Sequence, residues 1–177
     1  MRTRGSDLLY IFLIVVLLAA VAGLTWLAWQ YIVPLGGNQA YAPIWEASRY
    51  VSQIGAQPYS PDAVARARIL LGNEYVPPRF VYPYYSLVLF SPFAQISPYS
   101  LSRAVWMAFG FVCYVGLVFI ASTLTRWRPG VWGGLGFALF AFGRPDVLRA
   151  LYLGNPALVA ALLIGIGLLL VVREQYG

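Results

Sequence analysis

Carboxylates are the side chains in this sequence that could act as a general base, and they are few. The chain contains six acidic residues: Asp7, Glu46, Asp62, Glu74, Asp146 and Glu174. Asp7 and Glu174 flank apolar runs and are expected to serve membrane topology, whereas Asp62 lies at a predicted helix start. Glu74 follows a predicted helix end in an exposed turn. Glu46 is therefore the candidate catalytic base, which would take a proton from a substrate hydroxyl.

The positive charges suggest a partner of a different kind. All 12 basic residues are arginine, and the formal net charge is +6. A guanidinium surplus favours contact with anionic lipid headgroups or phosphate groups over acidic proteins. Membrane topology alone also produces such a surplus, so both explanations stay open. The sequence offers no signature of nucleic-acid binding.

Several chemistries are excluded by the residue counts. The sequence has no histidine and a single cysteine, Cys113, which lies in an apolar run. A metal site of the usual His/Cys kind is therefore not predicted, and neither is Ser-His-Asp or Cys-His catalysis. We expect no cofactor and no metal.

The composition predicts an all-α integral membrane protein. Hydrophobic residues make up 60% of the 177 residues and charged residues only 10%. Apolar runs predict about four transmembrane helices in one membrane domain, near 8–33, 101–123, 131–143 and 147–172, since about 20 apolar residues cross the hydrocarbon core. The third run is short and would need tilting or a thinned bilayer. Arg2 and Arg4 place the amino terminus in the cytoplasm of a multi-pass cell-membrane protein. A cleaved signal peptide ending near Ala22 is the alternative for the first run.

Residues 34–79 form the predicted exterior loop, and two short interfacial helices are expected in it. The first starts at Pro43 and stops at Gly55. The second has Ser60 as its cap, Pro61 in its first turn and Gly72 as its stop. The apolar stripe of the second helix is typical either of a helix lying on a membrane surface or of one packed on its own protein.

Residues 80–97, beginning "FVYPYYSLVLFSP", predict an interfacial or re-entrant segment. The segment is apolar and aromatic, yet Pro83 and Pro92 interrupt it and it is too short to cross a bilayer. The alternative is a belt of aromatic residues with a proline kink at the headgroup layer.

A second break occurs in "LRALYLGNPAL", where Gly154, Asn155 and Pro156 interrupt the start of the fourth run. Polar groups at a helix break inside a membrane are often functional, although an ordinary kink is equally consistent with the pattern. Just before it, Asp146 is expected to form a structural salt bridge with Arg144 or Arg149.

These segments together resemble a known family. "IWEASRYVSQIGAQPYSPD", "FVYPYYSLVLFSPFAQISPYSLSRAVW" and "LYLGNPALVAALLIGIGLLLVVRE" are similar, in order and wording, to the amino-terminal part of glycosyltransferase family 87. The resemblance runs from about Trp26 to the end of the chain. Its most specific part is the Tyr-Pro segment with the downstream Ser-Pro and Trp106.

The resemblance implies a polytopic GT-C enzyme that transfers a hexose such as mannose from a polyprenyl-phosphate donor at the exterior membrane face. Arginines would stabilise the leaving phosphate and tyrosines would stack on sugar or line the lipid groove. The residues implied for substrate binding are Arg79, Tyr82, Tyr85, Arg144, Arg149 and Asn155. Tyr84 is a further member of the tyrosine group.

The sequence departs from the family pattern in three respects. The stretch "GGNQAYAPIW" carries Asn38 and Gln39 where the family has an acidic residue, and neutral amides do not accept a proton at pH 7. Asn155 stands in place of a family glutamine after Gly154. The chain is also shorter than family members, which implies an amino-terminal portion or a reduced relative that works with a partner.

The alternative function is a non-catalytic transmembrane subunit that scaffolds a larger membrane complex. Small residues such as Gly133, Gly134 and Gly136 would then pack against helices of partner membrane subunits. A small transporter is a weaker third reading, because few polar groups fall inside the apolar runs.

We expect Arg79→Ala to weaken hexose transfer without unfolding the protein, because a guanidinium that stabilises the leaving phosphate acts only during the reaction. Turnover of the detergent-purified variant, measured beside its melting temperature, checks this. Unchanged turnover would remove Arg79 from the site.

Overall fold

The computed structural model describes residues 15, 19, 22–32, 40–55, 57–70, 80–126 and 130–176. These residues form helices and short turns, with no strand among them. Residues 22–27 are α-helical and continue into a π-helix, Ala28–Ile32. Seven further helices follow: α1 Tyr41–Ile54, α2 Pro61–Leu70, α3 Leu87–Ala94, α4 Tyr99–Leu124, α5 Val131–Phe142, α6 Pro145–Leu153 and α7 Ala157–Tyr176.

Two described helices are long and apolar enough to cross a membrane, Tyr99–Leu124 and Ala157–Glu174. The all-α class is therefore confirmed for the described residues, and two helices among them are candidate membrane spans by length and composition; the arrangement with four spans stays a prediction. Most of the first expected span, 8–33, lies outside the described residues. Helix α5 has 12 residues, about 18 Å at 1.5 Å per residue, which is well short of a bilayer core of about 30 Å.

The two long helices pack directly on each other. A Cβ placed on Gly116 of α4 would lie 3.1 Å from Leu162 Cδ1 of α7, and one placed on Gly165 of α7 would lie 3.6 Å from Ile120 Cγ2. Glycines at these two crossing points let the helix backbones approach closely, as in other membrane helix pairs.

The predicted fourth span, 147–172, is divided by a helix break. Gly154 has a φ of +66°, the left-handed conformation that ends α6, and its N–H donates to the Leu151 carbonyl over 3.0 Å. The Asn155 N–H donates to the Ala150 carbonyl over 2.9 Å. Asn155 Oδ1 then accepts from the Ala157 N–H over 2.9 Å and so caps α7. The chain therefore leaves α6 and enters α7 with its terminal backbone groups satisfied.

Both helices expected between residues 34 and 79 are present. Helix α1 starts two residues before Pro43 and ends at Gly55, which has a φ of +69° and donates its N–H to Val51. Ser60 caps α2 as expected, because its Oγ accepts from the Ala63 N–H over 3.3 Å. Ala63 and Ala67 are buried, and α2 packs against α1. Helix α2 therefore packs on its own protein through this face, while its location at a membrane surface stays a prediction; Gly72 lies outside the described residues.

The segment 80–97 folds as a 3-10 turn, Tyr84–Ser86, followed by α3. Leu87, Phe90 and Ala94 form its buried face, and Val88 on the other side is largely exposed. Helix α3 has only 8 residues and packs on α1 and α4, so this segment does not cross a bilayer on its own.

We expect Gly154→Ala to destabilise the protein by about 1 to 2 kcal/mol, because a Cβ is unfavourable at positive φ. Gly167→Ala is the matched control: it lies within α7, and a Cβ there meets nothing within 4 Å. Thermal unfolding in detergent compares them. Equal melting temperatures for the two variants would show that the left-handed turn is not needed.

Candidate functional site

An aromatic cluster joins α1 and α3 to the beginning of α4. Trp106, only 2% exposed, lies at its centre. The Tyr41 ring stacks on it with centroids 5.4 Å apart, and Phe90 and Phe93 meet it edge to face at 5.4 and 4.9 Å. Such contacts add to the stabilisation from burial itself. The aromatic contacts therefore hold α1 and α3 against the Tyr99 end of α4, a candidate membrane span.

A buried chain of hydroxyl groups runs through the same cluster. Ser102 Oγ donates to the Phe93 carbonyl over 2.7 Å, which uses its only hydrogen. The 2.6 Å contact between Tyr41 Oη and Ser102 Oγ therefore has Tyr41 as donor. Burial raises the pKa of Tyr41, so this phenol stays neutral and keeps the hydrogen it donates.

Helix α4 also contacts the break between α6 and α7. Trp106 Nε1 donates to the Gly154 carbonyl over 2.9 Å. One turn earlier, Arg103 Nη2 lies 3.5 Å from the Tyr152 carbonyl oxygen, and its guanidinium carbon is 5.7 Å from the centroid of the Tyr152 ring. Arg103 is only 3% exposed. A buried cation and a helix break thus meet at one end of the span.

Glu46, the candidate base, is buried in α1 at 6% exposure. Its Oε1 accepts from Arg66 Nε of α2 over 2.5 Å, and this ion pair joins the two helices. Because Arg66 occupies Oε1, a base role would fall to Oε2 or would require Arg66 to move. Its catalytic role stays a prediction.

The two tyrosines expected to bind substrate lie in different surroundings. Tyr82 packs edge to face with Phe80 and Phe90 at 5.8 and 6.0 Å, and burial raises its pKa. Its carbonyl accepts from the Tyr59 hydroxyl over 2.7 Å. Tyr85 is exposed, with 77% of its surface accessible.

Tyr85 borders a pocket of about 360 Å³ between α1 and α3. Three serines, Ser48, Ser52 and Ser91, also line this pocket beside the Tyr84 ring. The hydroxyl hydrogens of Ser48 and Ser52 are already donated to the carbonyls of Ile44 and Arg49, over 2.8 and 3.1 Å, and most of the pocket lining is apolar.

The remaining candidates lie around α6. Arg144 donates to Asp146 over 2.7 Å, the salt bridge expected from the sequence, and this hydrogen bond raises the pKa of Arg144. Arg149 is exposed on α6. Asn155 is engaged in capping α7. Arg79 lies outside the described residues.

The described contacts therefore place Glu46, Tyr82 and Tyr85 with α1 and α3, and Arg144, Arg149 and Asn155 with α6. Helix α4 connects the two groups through Trp106 and Arg103. Arg103 is not among the site residues predicted from the sequence, although an arginine within a 26-residue apolar helix often marks a functional site.

The acidic and thiol side chains offer no clustered metal ligands in the described ranges. No three residues of the types His, Cys, Asp and Glu come together there. Cys113 is buried within α4.

The sequence model of glycosyltransferase family 87 matches residues 80–176. This range runs from the start of the Tyr-Pro segment through α7 and covers more than half of the chain. The chain belongs to glycosyltransferase family 87. No curated protein and no solved structure matches it.

Family 87 membership confirms the resemblance read from the Tyr-Pro segment and, together with the two apolar helices, supports a membrane location. The matched range contains Tyr82, Tyr85, Arg144, Arg149 and Asn155. Glu46 lies before it, so its assignment depends on the chain's own geometry.

We expect Ser102→Ala to destabilise the protein by about 1 to 3 kcal/mol, because it removes the hydroxyl that joins Tyr41 to Phe93. Tyr41→Phe should cost less, and the double variant should cost less than the sum of the two. Thermal unfolding of the four proteins in detergent gives the coupling.

Ser122→Ala serves as the control on the same helix, since its hydroxyl bonds only the Val118 carbonyl one turn back among the contacts described. Strict additivity of Tyr41→Phe and Ser102→Ala would show that the hydroxyl chain does not act as a unit.

Proposed function

We propose that the chain acts in a membrane hexosyltransferase of the GT-C type, which transfers a mannose-like hexose from a polyprenyl-phosphate donor to a hydroxyl acceptor at the exterior membrane face. The match of residues 80–176 to glycosyltransferase family 87 is the observation that carries this proposal. The geometry adds that α1 and α3 are fixed across the Tyr99 end of α4, where a lipid-borne sugar would meet an acceptor at the membrane surface.

In the proposed reaction, the acceptor oxygen forms a bond to the anomeric carbon of the hexose. The bond between that carbon and the phosphate oxygen breaks, and its electron pair leaves with the polyprenyl phosphate. The acceptor proton passes to a carboxylate, for which Glu46 is the candidate. Nearby guanidinium groups stabilise the negative charge that develops on the phosphate.

The location of Glu46 supports this role. Trp45, its neighbour in α1, meets the Tyr99 ring edge to face at 5.2 Å, and Tyr99 is the first residue of α4. The Glu46 carboxylate therefore lies on a helix that packs against the first residue of α4. Arg66 orients it, and rigid placement of a base lowers the entropic cost of proton transfer.

The substrate contacts follow from the same arrangement. Tyr85 and Ser91, which line the 360 Å³ pocket, would contact the sugar of the donor or acceptor. Arg144 and Arg149, exposed near the break, would approach the phosphate, and Arg79 is assigned to the same role from sequence alone. Asn155 would act indirectly by fixing the start of α7.

The test uses the purified chain in lipid nanodiscs with radiolabelled polyprenyl-phosphate mannose and a hydroxyl acceptor. We expect labelled product, and we expect Glu46→Gln to lower kcat about 100-fold or more, the usual contribution of a general base. Glu174→Gln, the same change at an exposed position on α7, should keep full activity.

Arg66→Gln separates a catalytic from a structural Glu46. If Glu46 only holds α2 in place, Arg66→Gln and Glu46→Gln will lower melting temperature and turnover alike. If Glu46 is the base, Arg66→Gln will retain most of the turnover that Glu46→Gln loses. No transfer, combined with stoichiometric purification in a larger membrane complex, would favour the scaffolding alternative instead.

A further inference from the structure

The 3-10 turn and α3 carry an exposed apolar and aromatic face. Val81, Tyr84, Tyr85 and Val88 are each more than half exposed, and Val88 has 80% of its surface accessible. The opposite side of α3 is buried where the helix packs on α1 and α4. An exposed patch of this kind commonly marks a surface that binds a membrane or another protein. We call these four residues the α3 outer face.

The α3 outer face lies in a long uncharged stretch of the chain. Residues 80–102 contain no Asp, Glu, Lys or Arg. A helix face in contact with water normally carries charged side chains. Tyrosine, which joins an apolar ring to a polar hydroxyl, is enriched where lipid headgroups meet acyl chains. The composition of this face therefore favours contact with lipid over contact with water.

The aromatic contacts of α3 determine its level along α4. Phe90 and Phe93 pack on Trp106, and the Phe93 ring lies 5.1 Å from the Phe109 ring. Residues 104–121 of α4 contain no charged residue, serine or threonine. At 1.5 Å per residue this apolar stretch is about 27 Å long, close to the hydrocarbon core of about 30 Å. Because Trp106 and Phe109 lie near its beginning, α3 is level with the edge of the apolar part of α4.

Helix α1 lies between α2 and α3. Its residues Glu46 and Tyr50 form hydrogen bonds with α2, whereas Ser48 and Ser52 line the pocket that α1 shares with α3. At 3.6 residues per turn, these two pairs are on opposite sides of α1. The outer surfaces of α2 and α3 therefore point in different directions.

The outer surface of α2 is charged. Asp62, Arg66 and Arg68 are exposed on this helix, together with Ile69. Charged side chains are stable in water or in the headgroup layer and costly among acyl chains. The three short helices thus have one uncharged side and one charged side, which is the arrangement of helices at a membrane boundary.

We propose that the α3 outer face contacts the lipid acyl chains of the leaflet at the Tyr99 end of α4, while the outer surface of α2 faces water. Lipid contact of this face requires α4 to cross the bilayer but does not require hexose transfer, so it holds equally for a scaffolding subunit. Tyr85 and Val88 also border the 360 Å³ pocket. That pocket would then open at the lipid boundary and not into bulk water.

Spin labels on single cysteines report whether lipid or water surrounds a residue. The chain is labelled in lipid nanodiscs in a Cys113→Ala background. Electron paramagnetic resonance then measures collisions with oxygen, which concentrates among acyl chains, and with a nickel chelate, which stays in water. The labelled variants are Val88→Cys, Ile69→Cys on α2 and Phe119→Cys in α4, whose parent residues are 80%, 73% and 73% exposed. We expect the ratio of oxygen to nickel collisions to be several-fold higher at Val88 and Phe119 than at Ile69.

Equal collision ratios at Val88 and Ile69 would overturn the proposal. So would a label at Val88 that neither oxygen nor nickel reaches, because a second copy of the chain or another protein would then cover the face. Tyr85→Cys repeats the measurement about one helical turn away, so the result does not depend on a single variant.

A buried charge provides a second test that needs no label and keeps Cys113. We expect Val88→Glu to lower the melting temperature in nanodiscs, because a carboxylate among acyl chains is costly. Ile69→Glu, the same type of change on the water side, should melt like the parent chain. Equal melting temperatures of the two variants would contradict lipid contact at α3. Neither measurement involves hexose transfer, so failure of the proposed function would leave these results unchanged.

Discussion

The hydrogen bond from Trp106 to the Gly154 carbonyl joins the parts of this structure that have to stay together. A helix break leaves backbone carbonyls without their helical partners, and a buried one, such as that of Gly154, requires another donor from the protein. Trp106 Nε1 donates to the Gly154 carbonyl over 2.9 Å. The same indole packs against the rings of Tyr41, Phe90 and Phe93. The Trp106 side chain thus joins the break between α6 and α7 to helices α1 and α3. The shape of the site depends on that double role.

The sequence predicted local structure well at positions where the backbone conformation or a helix cap requires a particular residue type. Gly55 and Gly154 both adopt positive φ at helix ends, and Ser60 caps the helix that it was expected to cap. These outcomes follow from properties of single residues and their immediate neighbours. The residues Gly154, Asn155 and Pro156 also predicted a helix break, although 147–172 as a whole was predicted to be one span. Helix α5 is too short for a span of ordinary length. Apolar composition alone does not say whether such a helix crosses the bilayer.

Contacts between distant residues could not be read from the sequence. Glu46 was selected as an isolated carboxylate, and its partner Arg66 lies 20 positions away in the next helix. The bond between Tyr41 and Ser102 joins residues 61 positions apart. Nothing in the sequence indicates that Arg103 contacts Tyr152, which lies 49 positions away. The burial of Arg103 is likewise a property of the folded chain.

Packed helices hold two buried charged side chains, an arrangement that suits the hexosyl transfer that we propose. Arg103 is held in α4, a rigid helix, and Glu46 is held in α1 by an ion pair, so neither depends on a long loop for its position. Electrostatic attraction is stronger where water is excluded, and the Glu46 carboxylate in the ion pair with Arg66 is buried. In the proposed transfer, the Glu46 carboxylate would take the proton of an acceptor hydroxyl, and the helix that carries it, α1, also lines the pocket that Tyr84 and Tyr85 border.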